Sequence, residues 1–322
     1  MIAFVFPGQG SQAVGMGRAL ADARAECRQV FEEADAALGF PLSRLCFDGP
    51  DEALRLTENT QPAILTVSVA AARLLAQEGI RPDYVAGHSL GEYSAHVVAG
   101  TFDFADAVRT VQRRGRYMQE AVPVGEGAMA AVLGGDAARI EQACAEAARE
   151  GGLVSPANFN APGQVVIAGT RDAVARAGER ARALGAKRVV PLPVSAPFHC
   201  ALMAPAQRRL EPDLRALKAR APGVPVIANV DGQPKTSPAA AIDALVAQVS
   251  APVRWVDVVH RLASAGVRAY VEVGPGTVLT GLVRKIQPDA RVVSFESPDQ
   301  LASVASLIAD ARAASGLPST SA

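Results

Sequence analysis

Short apolar segments alternate with longer helical patterns along most of this chain of 322 residues. The segments Ile2 to Phe6, Tyr84 to His88 and Ala269 to Val273 each predict a strand, and a glycine-containing turn follows each of them. Strands that alternate with helices favour a parallel α/β sheet. Ligands of such sheets bind at the carboxyl ends of the strands, which is where these turns fall.

Helical patterns fill the segments between the strands. We predict a continuous helix from Arg18 to Leu38, a well-buried helix from Gln61 to Glu78, and a helix from Phe104 to about Val122 with Asp103 as its N-cap. The elements predicted nearer the C-terminus are a helix from Ala201 to Leu217, a strand from Val224 to Asn229, a helix from Asp299 to Ala313 and a frayed tail from Ser315 to Ala322.

The rhythm changes in the middle of the chain, where the predicted order is β-α-β-β-α-β. The elements are strands at Ala128 to Leu133, Leu153 to Ala157, Gln164 to Ala168 and Lys187 to Val190, and helices at Asp136 to Arg149 and Arg171 to Leu184. This order is the ferredoxin-like signature. We therefore expect a ferredoxin-like subdomain at residues 125–195, inserted into a large α/β domain of residues 1–124 and 196–322.

Composition and charge exclude several classes of protein. Apolar residues make up 49% of the chain, so a sizeable core can form and global disorder is excluded. Lys and Arg number 32, as do Asp and Glu, so the charge footprint of a general nucleic-acid binder is missing. The four cysteines have no paired spacing, which favours a reducing compartment, and we expect the cytoplasm.

No segment of the sequence suits a membrane. The apolar start extends only from Ile2 to Phe6 and lacks a basic flank, so no signal peptide is expected. The uncharged runs Gly151 to Thr170 and Val189 to Gln207 contain several prolines and polar residues, which a spanning helix does not tolerate well. We expect neither a membrane nor a nucleic-acid partner, and we expect a monomer.

The strongest short motif is Gly87-His88-Ser89-Leu90-Gly91, a G-x-S-x-G sequence between a predicted strand and a predicted helix. Its two glycines relieve crowding at a sharp turn, so the serine oxygen can project into a cleft. The N-terminus of the following helix offers free N–H groups to a developing oxyanion. We predict Ser89 as a nucleophile, and the alternative is a packing turn.

A serine hydroxyl needs a base, and the chain has four histidines. His88 is expected on the other side of the turn, whereas His96 and His260 lie in helical patterns that suit a core or surface residue. His199 lies in a proline-rich loop, which is a common way to present a base. Spacing favours His199 without excluding the others.

Two other interpretations apply to residues near the serine motif and His199. His88, Glu92 and His96 would share one helix face as metal ligands, but their spacing is not the H-E-x-x-H arrangement, and His88 is expected on the strand. Cys200 could be a nucleophile, but no neighbour marks its thiol as activated. We expect no metal site here and a packing role for Cys200.

The turn after the first strand, Gly8 to Ala13, fits the dinucleotide pattern G-x-G-x-x-A. That fingerprint requires an acidic residue at the end of a second strand about 20 positions later, and here the region Ala25 to Ala37 is a charged helical pattern. The alternatives are a plain tight turn, or a turn whose Gln9 backbone N–H faces an oxyanion opposite Leu90.

Three arginines, Arg113, Arg114 and Arg116, lie on the helix after the serine motif. Such a cluster is usually a solvated face. The neighbouring residues are less polar than a surface requires, so one arginine turned inward could clamp a carboxylate bidentately. Spacing does not say which of the three it is.

Seven motifs in order cover nearly the whole chain. They are Phe6-Pro7-Gly8-Gln9-Gly10-Ser11-Gln12, Gly87-His88-Ser89-Leu90-Gly91-Glu92, Arg114-Gly115, Met118-Gln119, Gly163-Gln164-Val165-Val166-Ile167-Ala168-Gly169, Pro197-Phe198-His199 and Glu272-Val273-Gly274-Pro275-Gly276. Together they strongly resemble the malonyl-CoA:acyl-carrier-protein transacylases of type II fatty acid synthesis. They are also similar to the acyltransferase domains of polyketide synthases.

The resemblance implies a hydrolase-like α/β large domain with a ferredoxin-like insert. It implies Ser89 as nucleophile, His199 as its base, and Gln248 as the residue that orients His199. It implies Arg114 as the ligand of the malonyl carboxylate. The backbone N–H groups of Gln9 and Leu90 would form the oxyanion hole, and Phe198 and Leu90 match the malonyl-selective pattern.

The activity implied is transfer of malonyl from malonyl-CoA to the phosphopantetheine thiol of holo acyl carrier protein through a malonyl-serine, with ping-pong kinetics. No cofactor is implied, because the CoA thioester is itself a substrate. The alternatives are a trans-acting polyketide acyltransferase, a serine thioesterase or hydrolase, and a non-catalytic binder of CoA or dinucleotide. The absence of an evident acid partner speaks against the hydrolase.

Overall fold

The structure, a computed structural model, describes residues 1–194 and 196–314. The strands in these residues are β1 (Ile2–Phe6), β2 (Tyr84–Gly87), β3 (Gly127–Leu133), β4 (Val154–Ala161), β5 (Gln164–Thr170), β6 (Arg188–Pro191), β7 (Val226–Ile227), β8 (Pro234–Lys235), β9 (Ala269–Val273) and β10 (Arg291–Phe295).

The α-helices in the same residues are α1 (Arg18–Ala23), α2 (Ala25–Leu38), α3 (Leu42–Asp48), α4 (Asp51–Leu54), α5 (Thr57–Gln77), α6 (Gly91–Val98), α7 (Phe104–Glu120), α8 (Ala137–Arg149), α9 (Arg171–Ala183), α10 (Ala204–Arg215), α11 (Pro238–Gln248), α12 (Trp255–Ser264), α13 (Val278–Ile286) and α14 (Leu301–Ala314). Two 3₁₀ turns, Ala201–Met203 and Pro298–Gln300, lead into α10 and α14.

The larger sheet has the strand order β10-β9-β1-β2-β7-β8, and its pairs are parallel except for β7 with β8. Every residue of β1 and β9 is buried, as expected for parallel strands that are covered on both faces. One apolar cluster packs helices such as α2 and α5 against the sheet, and a second packs α12 and α13 on it. The predicted α/β class is confirmed.

The smaller sheet has the order β4-β5-β3-β6 and is antiparallel throughout. Helices α8 and α9 share an apolar cluster with it that includes Ile140, Ile167 and Val174. The element order is the β-α-β-β-α-β order expected from the sequence. Backbone hydrogen bonds from Phe159 N to Val253 O (2.9 Å) and from Val253 N to Ala157 O (2.8 Å) join β4 to the segment before α12.

The carboxyl ends of β1, β2 and β9 meet at one edge of the larger sheet, because Phe6 pairs with Gly87 and Val5 pairs with Glu272. The turn after β2 leads directly into α6, which begins against the end of β1. A Cβ added at Gly91 would lie 2.0 Å from the carbonyl oxygen of Phe6. Only glycine allows this approach, so the second glycine of the serine motif fixes where α6 begins.

The predicted helix from Arg18 to Leu38 is wrong in one respect, since it is two helices. Arg24 has an extended backbone (φ −140°, ψ 126°), and it ends α1 while its N–H still bonds the Leu20 carbonyl. The sequence has neither glycine nor proline at this break. No local signal therefore predicts it.

The C-terminal half also departs from the predicted bounds. The strand expected from Val224 to Asn229 is only Val226–Ile227, because the chain then turns back to pair β7 with β8. The helix expected from Ala201 to Leu217 opens with a 3₁₀ turn and ends at Arg215. The helices α3 and α4 and the strand β8 are short elements that the sequence analysis missed.

Three further expectations concern helix ends and the membrane. Asp103 is the N-cap residue of α7, but its side chain makes no capping bond and accepts from Arg220 instead. The tail predicted from Ser315 to Ala322 lies outside the described residues. In the part of the chain that the structure describes, none of the helices has both the length and the apolar character needed to cross a bilayer.

Replacing Gly91 by alanine should destabilise the fold by at least about 3 kcal/mol, because the methyl group would collide with the Phe6 carbonyl, and neither backbone can move freely. The matched control is Gly281→Ala in α13, where an added Cβ meets nothing within 4 Å. That change should stabilise by about 0.5–1 kcal/mol. Urea unfolding of both variants measures the difference, and equal stabilities would contradict the close approach.

Candidate active site

Ser89 lies at the turn between β2 and α6, and its backbone φ is 51°. A Cβ at Gly87 would lie 1.9 Å from the backbone carbon of Gly91, so the turn can close only with glycine there. Few residues adopt a positive φ without strain, and such strain is typical of functional turns. The turn directs the Ser89 side chain away from the sheet into the cavity at its carboxyl edge.

His199 is the histidine that the structure brings to Ser89. The distance from Ser89 Oγ to His199 Nε2 is 2.7 Å, and the distance from His199 Nδ1 to the backbone oxygen of Gln248 is 3.0 Å. A carbonyl can only accept, so Nδ1 carries the proton and Nε2 presents a lone pair to the serine. This tautomer is the one that a general base at Ser89 requires.

The imidazole of His199 is buried, with 4% of its surface exposed. Burial, and after it the positive charge of Arg114, lowers its pKa from 6.5 to about 3. His199 is therefore neutral at pH 7. Among the described residues, the group that orients the ring is therefore a backbone carbonyl.

Arg114 is the inward arginine of the three candidates, and only 1% of its surface is exposed. Its Nη1 donates to Gln61 Oε1 (2.8 Å), and its Nη2 donates to Gln248 Oε1 (2.9 Å) and Ser89 Oγ (3.1 Å). The guanidinium therefore points at the serine oxygen. The other two candidates, Arg113 and Arg116, face outward.

Those two arginines are exposed on the other face of α7. Arg113 Nη1 pairs with Asp213 Oδ1 at 2.9 Å, and the guanidinium of Arg116 lies 5.7 Å from the ring centre of Tyr117. The structure thus separates one buried cation from a solvated pair, a distinction that residue spacing alone left open.

A buried polar network supports the serine turn from below. Ser89 N donates to Asn229 Oδ1 (2.7 Å), and Asn229 Nδ2 donates to the Gly87 carbonyl (2.7 Å). Gln248 Nε2 donates to the Ser89 carbonyl (3.0 Å) and to Glu92 Oε2 (2.8 Å). Sequence reasoning missed Asn229 and this contact of Glu92, because both join residues more than a hundred positions apart.

Gln9 and Leu90 both line the cavity beside Ser89. Their backbone N–H groups donate to no partner among the described residues. Leu90 is the N-cap residue of α6, where the N-terminal end of the helix favours negative charge. Gln9 follows β1, and its side-chain Nε2 lies 3.3 Å from Thr57 Oγ1. Two donors therefore stand free near the serine.

The cavity lies between the two sheets and has mostly apolar walls. Its side chains include Met118 from α7, Met129 from β3, Val166 from β5, Leu282 from α13 and Phe198 from the loop before His199. Phe198 is buried with 9% of its surface exposed. A long, flexible substrate could enter along these walls and reach Ser89 at the end.

Two of the other histidines are hydrogen-bonded elsewhere, and the third, His260, is exposed on α12. His88 Nε2 lies 2.8 Å from Asn160 Oδ1, and His96 Nδ1 lies 3.2 Å from Thr101 Oγ1. Glu92 Oε2 accepts from Asn229 and Gln248. Within residues 1–194 and 196–314, no group of three or more His, Cys, Asp and Glu side chains is arranged to hold a metal ion.

Cys200 and the glycine-rich turn after β1 have plain structural surroundings. Cys200 is buried, its Sγ donates to the Pro197 carbonyl, and burial raises the pKa of its thiol to about 11. The region where a dinucleotide site needs a second strand is the helix α2. Neither feature offers an alternative to Ser89.

An α/β sheet with a serine on a strand–helix turn, a histidine at 2.7 Å and two free N–H groups defines a serine enzyme that transfers acyl groups through an acyl-serine, to water or to another acceptor. The family model for the acyl transferase domain matches residues 3–314. The chain therefore belongs to the acyl transferase domain family.

The relatives in sequence agree with the resemblance found in the motifs. The malonyl CoA-acyl carrier protein transacylase of Escherichia coli strain K12 is 53% identical over 306 residues, which are 95% of this chain and 99% of that protein. The protein of that name from Bacillus subtilis strain 168 is 47% identical over 300 residues, which cover 93% of this chain and 95% of the relative.

Solved structures share the fold. The acyl carrier protein S-malonyltransferase of Vibrio cholerae superposes with a TM-score of 0.92 at 50% identity, covering 94% of this chain and 99% of that one. A malonyl-transacylase in complex with the holo acyl carrier protein of a type II polyketide synthase also has a TM-score of 0.92, at 47% identity and with 96% and 99% coverage.

The low pKa of His199 predicts how Ser89 reacts with a fluorophosphonate, a reagent that labels activated serines. Its labelling rate should stay nearly constant from pH 8 down to pH 5, since the imidazole remains neutral throughout. An imidazole with its usual pKa of 6.5 would instead lose about tenfold for each pH unit well below that value. The rate is followed by intact-protein mass spectrometry with Ser89→Ala as the blank. A midpoint near pH 6.5 would contradict the prediction.

Proposed function

We propose that this enzyme transfers the malonyl group from malonyl-CoA to the phosphopantetheine thiol of holo acyl carrier protein through a malonyl-Ser89 intermediate. The observation that carries the proposal is the buried guanidinium of Arg114, whose Nη2 lies 3.1 Å from Ser89 Oγ. A cation in this position suits an acyl group that ends in a carboxylate. The named activity of the relatives in sequence supports the same substrate.

In the first half-reaction, His199 Nε2 takes the proton of Ser89 Oγ as the oxygen attacks the thioester carbonyl of malonyl-CoA. The carbon–oxygen bond forms, the carbonyl becomes an oxyanion, and its collapse breaks the carbon–sulfur bond. His199 returns the proton to the departing CoA thiolate. The Gln248 carbonyl stabilises the transient imidazolium through Nδ1–H.

The oxyanion of each half-reaction is assigned to the backbone N–H groups of Gln9 and Leu90. Both groups are free to donate, and the N-terminus of α6 adds a favourable dipole. Removing one such donor in an acyl-transfer enzyme typically costs about 10²–10³ in rate.

In the second half-reaction, the phosphopantetheine thiol enters the cavity that CoA has left. His199 takes the thiol proton, the sulfur attacks the malonyl-serine carbonyl, and the carbon–oxygen bond to Ser89 breaks. His199 then protonates the serine oxygen. No cofactor enters either step, because the thioester supplies the activated acyl group.

Selectivity is assigned to Arg114, with Phe198 and Leu90 as the walls beside it. A malonyl carboxylate pairs with the buried guanidinium, whereas an acetyl group leaves that cation without a counter-ion. A hydrogen bond to a charged group is worth about 1.5–3 kcal/mol. The apolar Phe198 and Leu90 restrict the space available to branched acyl groups.

The remaining expectations belong to this proposal. The acceptor is a carrier protein of either fatty acid or polyketide synthesis. A polyketide carrier protein is included because one of the similar solved structures is a malonyl-transacylase in complex with such a protein. The division into residues 1–124 with 196–322 and residues 125–195, the monomeric state and the cytoplasmic location rest on the sequence. A thioesterase would perform the first half-reaction and then transfer to water.

The intermediate is tested by mixing the enzyme with malonyl-CoA and measuring its intact mass. We expect a malonyl adduct on the wild type and none on Ser89→Ala. Added holo carrier protein should remove the adduct and gain the malonyl mass itself. Removal by water at the same rate as by carrier protein would identify a hydrolase instead.

Replacing Arg114 by alanine should lower the preference for malonyl-CoA over acetyl-CoA by about 10- to 100-fold, because the cation that pairs with the carboxylate is lost. Arg116→Ala is the matched control on the same helix, since Arg116 is exposed. It should leave the preference unchanged. The ratio of the two acyl adducts in a competition experiment measures the effect, and an unchanged ratio in Arg114→Ala would overturn the assignment of selectivity.

A further inference from the structure

Arg114 is a buried cation whose hydrogen-bond partners are all neutral. Among the described residues it has no ion-pair partner within 4.0 Å; its hydrogen bonds go to Gln61, Gln248 and Ser89, and its guanidinium lies 5.4 Å from the centre of the Tyr93 ring. A buried cation without a counter-charge is costly. These neutral contacts and the Tyr93 ring stabilise the cation in part, and a negative charge at slightly longer range would stabilise it further in the free enzyme.

The fully buried carboxylate of Glu92 is separated from Arg114 only by the side chain of Gln248. Gln248 Oε1 accepts from Arg114 Nη2 at 2.9 Å, and Gln248 Nε2 donates to Glu92 Oε2 at 2.8 Å. The amide thus bridges a cation and an acid, with each end of its dipole facing the charge that it favours. Glu92 has 0% of its surface exposed.

The carboxylate of Glu92 is only half satisfied. Oε2 accepts from Asn229 N (2.9 Å) and from Gln248 Nε2, whereas Oε1 has no hydrogen-bond partner among the described residues. Two donors on one oxygen can hold the group in place in both of its protonation states. The free oxygen is where a proton can be added without breaking a contact.

The charged and titratable groups around Glu92 are few. Arg114 on α7 favours the ionised form, Asp231 after β7 disfavours it, and Tyr93 is its neighbour on α6. The nearby imidazoles, those of His88, His96 and His199, have pKa values lowered by burial and are neutral at pH 7. Burial, the largest cause, raises the pKa of Glu92 to about 7.

We propose that Glu92 is a positioning residue that acts as the internal counter-charge of Arg114 through the Gln248 amide, and that it takes up a proton from solvent when the acyl carboxylate of the substrate pairs with Arg114. The proposal rests on the proposed function, because it requires a donor that carries a carboxylate. Proton uptake by Glu92 thus reduces the rise in negative charge beside Arg114 when the acyl carboxylate binds.

The sign of the pH dependence follows from linkage. A second carboxylate near Arg114 repels ionised Glu92 and raises its pKa, so binding of a malonyl group is coupled to proton uptake. Binding is then tightest at low pH and weakens as the pH rises through 7. For a rise of about one unit in the pKa, affinity falls about fivefold from pH 6 to pH 8, and about 0.4 proton is taken up at pH 7.

The experiment measures binding without turnover, using the Ser89→Ala protein and isothermal titration calorimetry. Malonyl-CoA and acetyl-CoA are titrated at pH 6, 7 and 8, in two buffers with different ionisation enthalpies to count protons. Acetyl-CoA shares every ionisable group of CoA and lacks the carboxylate. We expect proton uptake and a pH-dependent dissociation constant for malonyl-CoA alone.

The Glu92→Gln change, made in the Ser89→Ala protein, removes the charge of Glu92 and keeps its hydrogen bonds. The amide oxygen of glutamine can accept both hydrogen bonds that Oε2 now accepts, and its NH₂ group occupies the place of the unpartnered Oε1. Malonyl-CoA should bind this variant with no pH dependence and no proton uptake. Glu272→Gln is the control, since Glu272 is equally buried but accepts from Leu279 N and Thr280 N at the start of α13. It should retain the pH dependence.

The outcomes distinguish the two proposals. Equal affinity for malonyl-CoA and acetyl-CoA at every pH would overturn the proposed function. Tighter binding of malonyl-CoA with no proton uptake would leave that function standing and overturn the role of Glu92, as would a pH dependence that persists in Glu92→Gln. If that variant does not fold, the proton count on Ser89→Ala alone decides, and a value of zero rejects the proposal.

Discussion

The approach of α6 to the end of β1 is the constraint on which the rest of the site depends. Gly91 lies so close to the Phe6 carbonyl that an added Cβ would be 2.0 Å from it. Because the helix begins there, Ser89 is held at a φ of 51°, with its oxygen 2.7 Å from His199. A looser turn would separate the serine from both the histidine and the helix N-terminus, and acyl transfer depends on holding those groups together.

Gln248 connects the groups that gather around this turn. Its backbone carbonyl fixes the tautomer of His199, its side-chain oxygen holds Arg114, and its side-chain nitrogen donates to the Ser89 carbonyl and Glu92. One buried residue therefore fixes the relative positions of the base His199, the cation Arg114 and the nucleophile Ser89. The rigidity this gives comes from tertiary structure, since Gln248 ends α11 and its partners lie on three other segments.

The sequence allowed the α/β class, the order of the inserted strands and the serine turn to be predicted, because strand–helix rhythm and paired glycines are local signals. It did not distinguish Arg114 from Arg113 and Arg116, since which face of α7 is buried depends on how the helix packs. The resemblance to a family supplied that choice. Asn229 and the contact of Glu92 were missed because each joins positions more than a hundred residues apart, where no spacing rule applies.

The charge of Arg114 acts on the base as well as on the substrate. It helps to keep the pKa of His199 low, which makes the imidazole available but weakly basic. The same guanidinium donates to Ser89 Oγ and so favours the ionised serine. A low pKa of His199 disfavours proton transfer from Ser89 to the imidazole, whereas stabilisation of the ionised serine favours it. A substrate carboxylate paired with Arg114 weakens both effects, because it neutralises the charge that causes them. The difference in pKa between Ser89 and His199 therefore changes little with the charge of the acyl group. The enzyme discriminates between acyl groups through the ion pair with Arg114 itself.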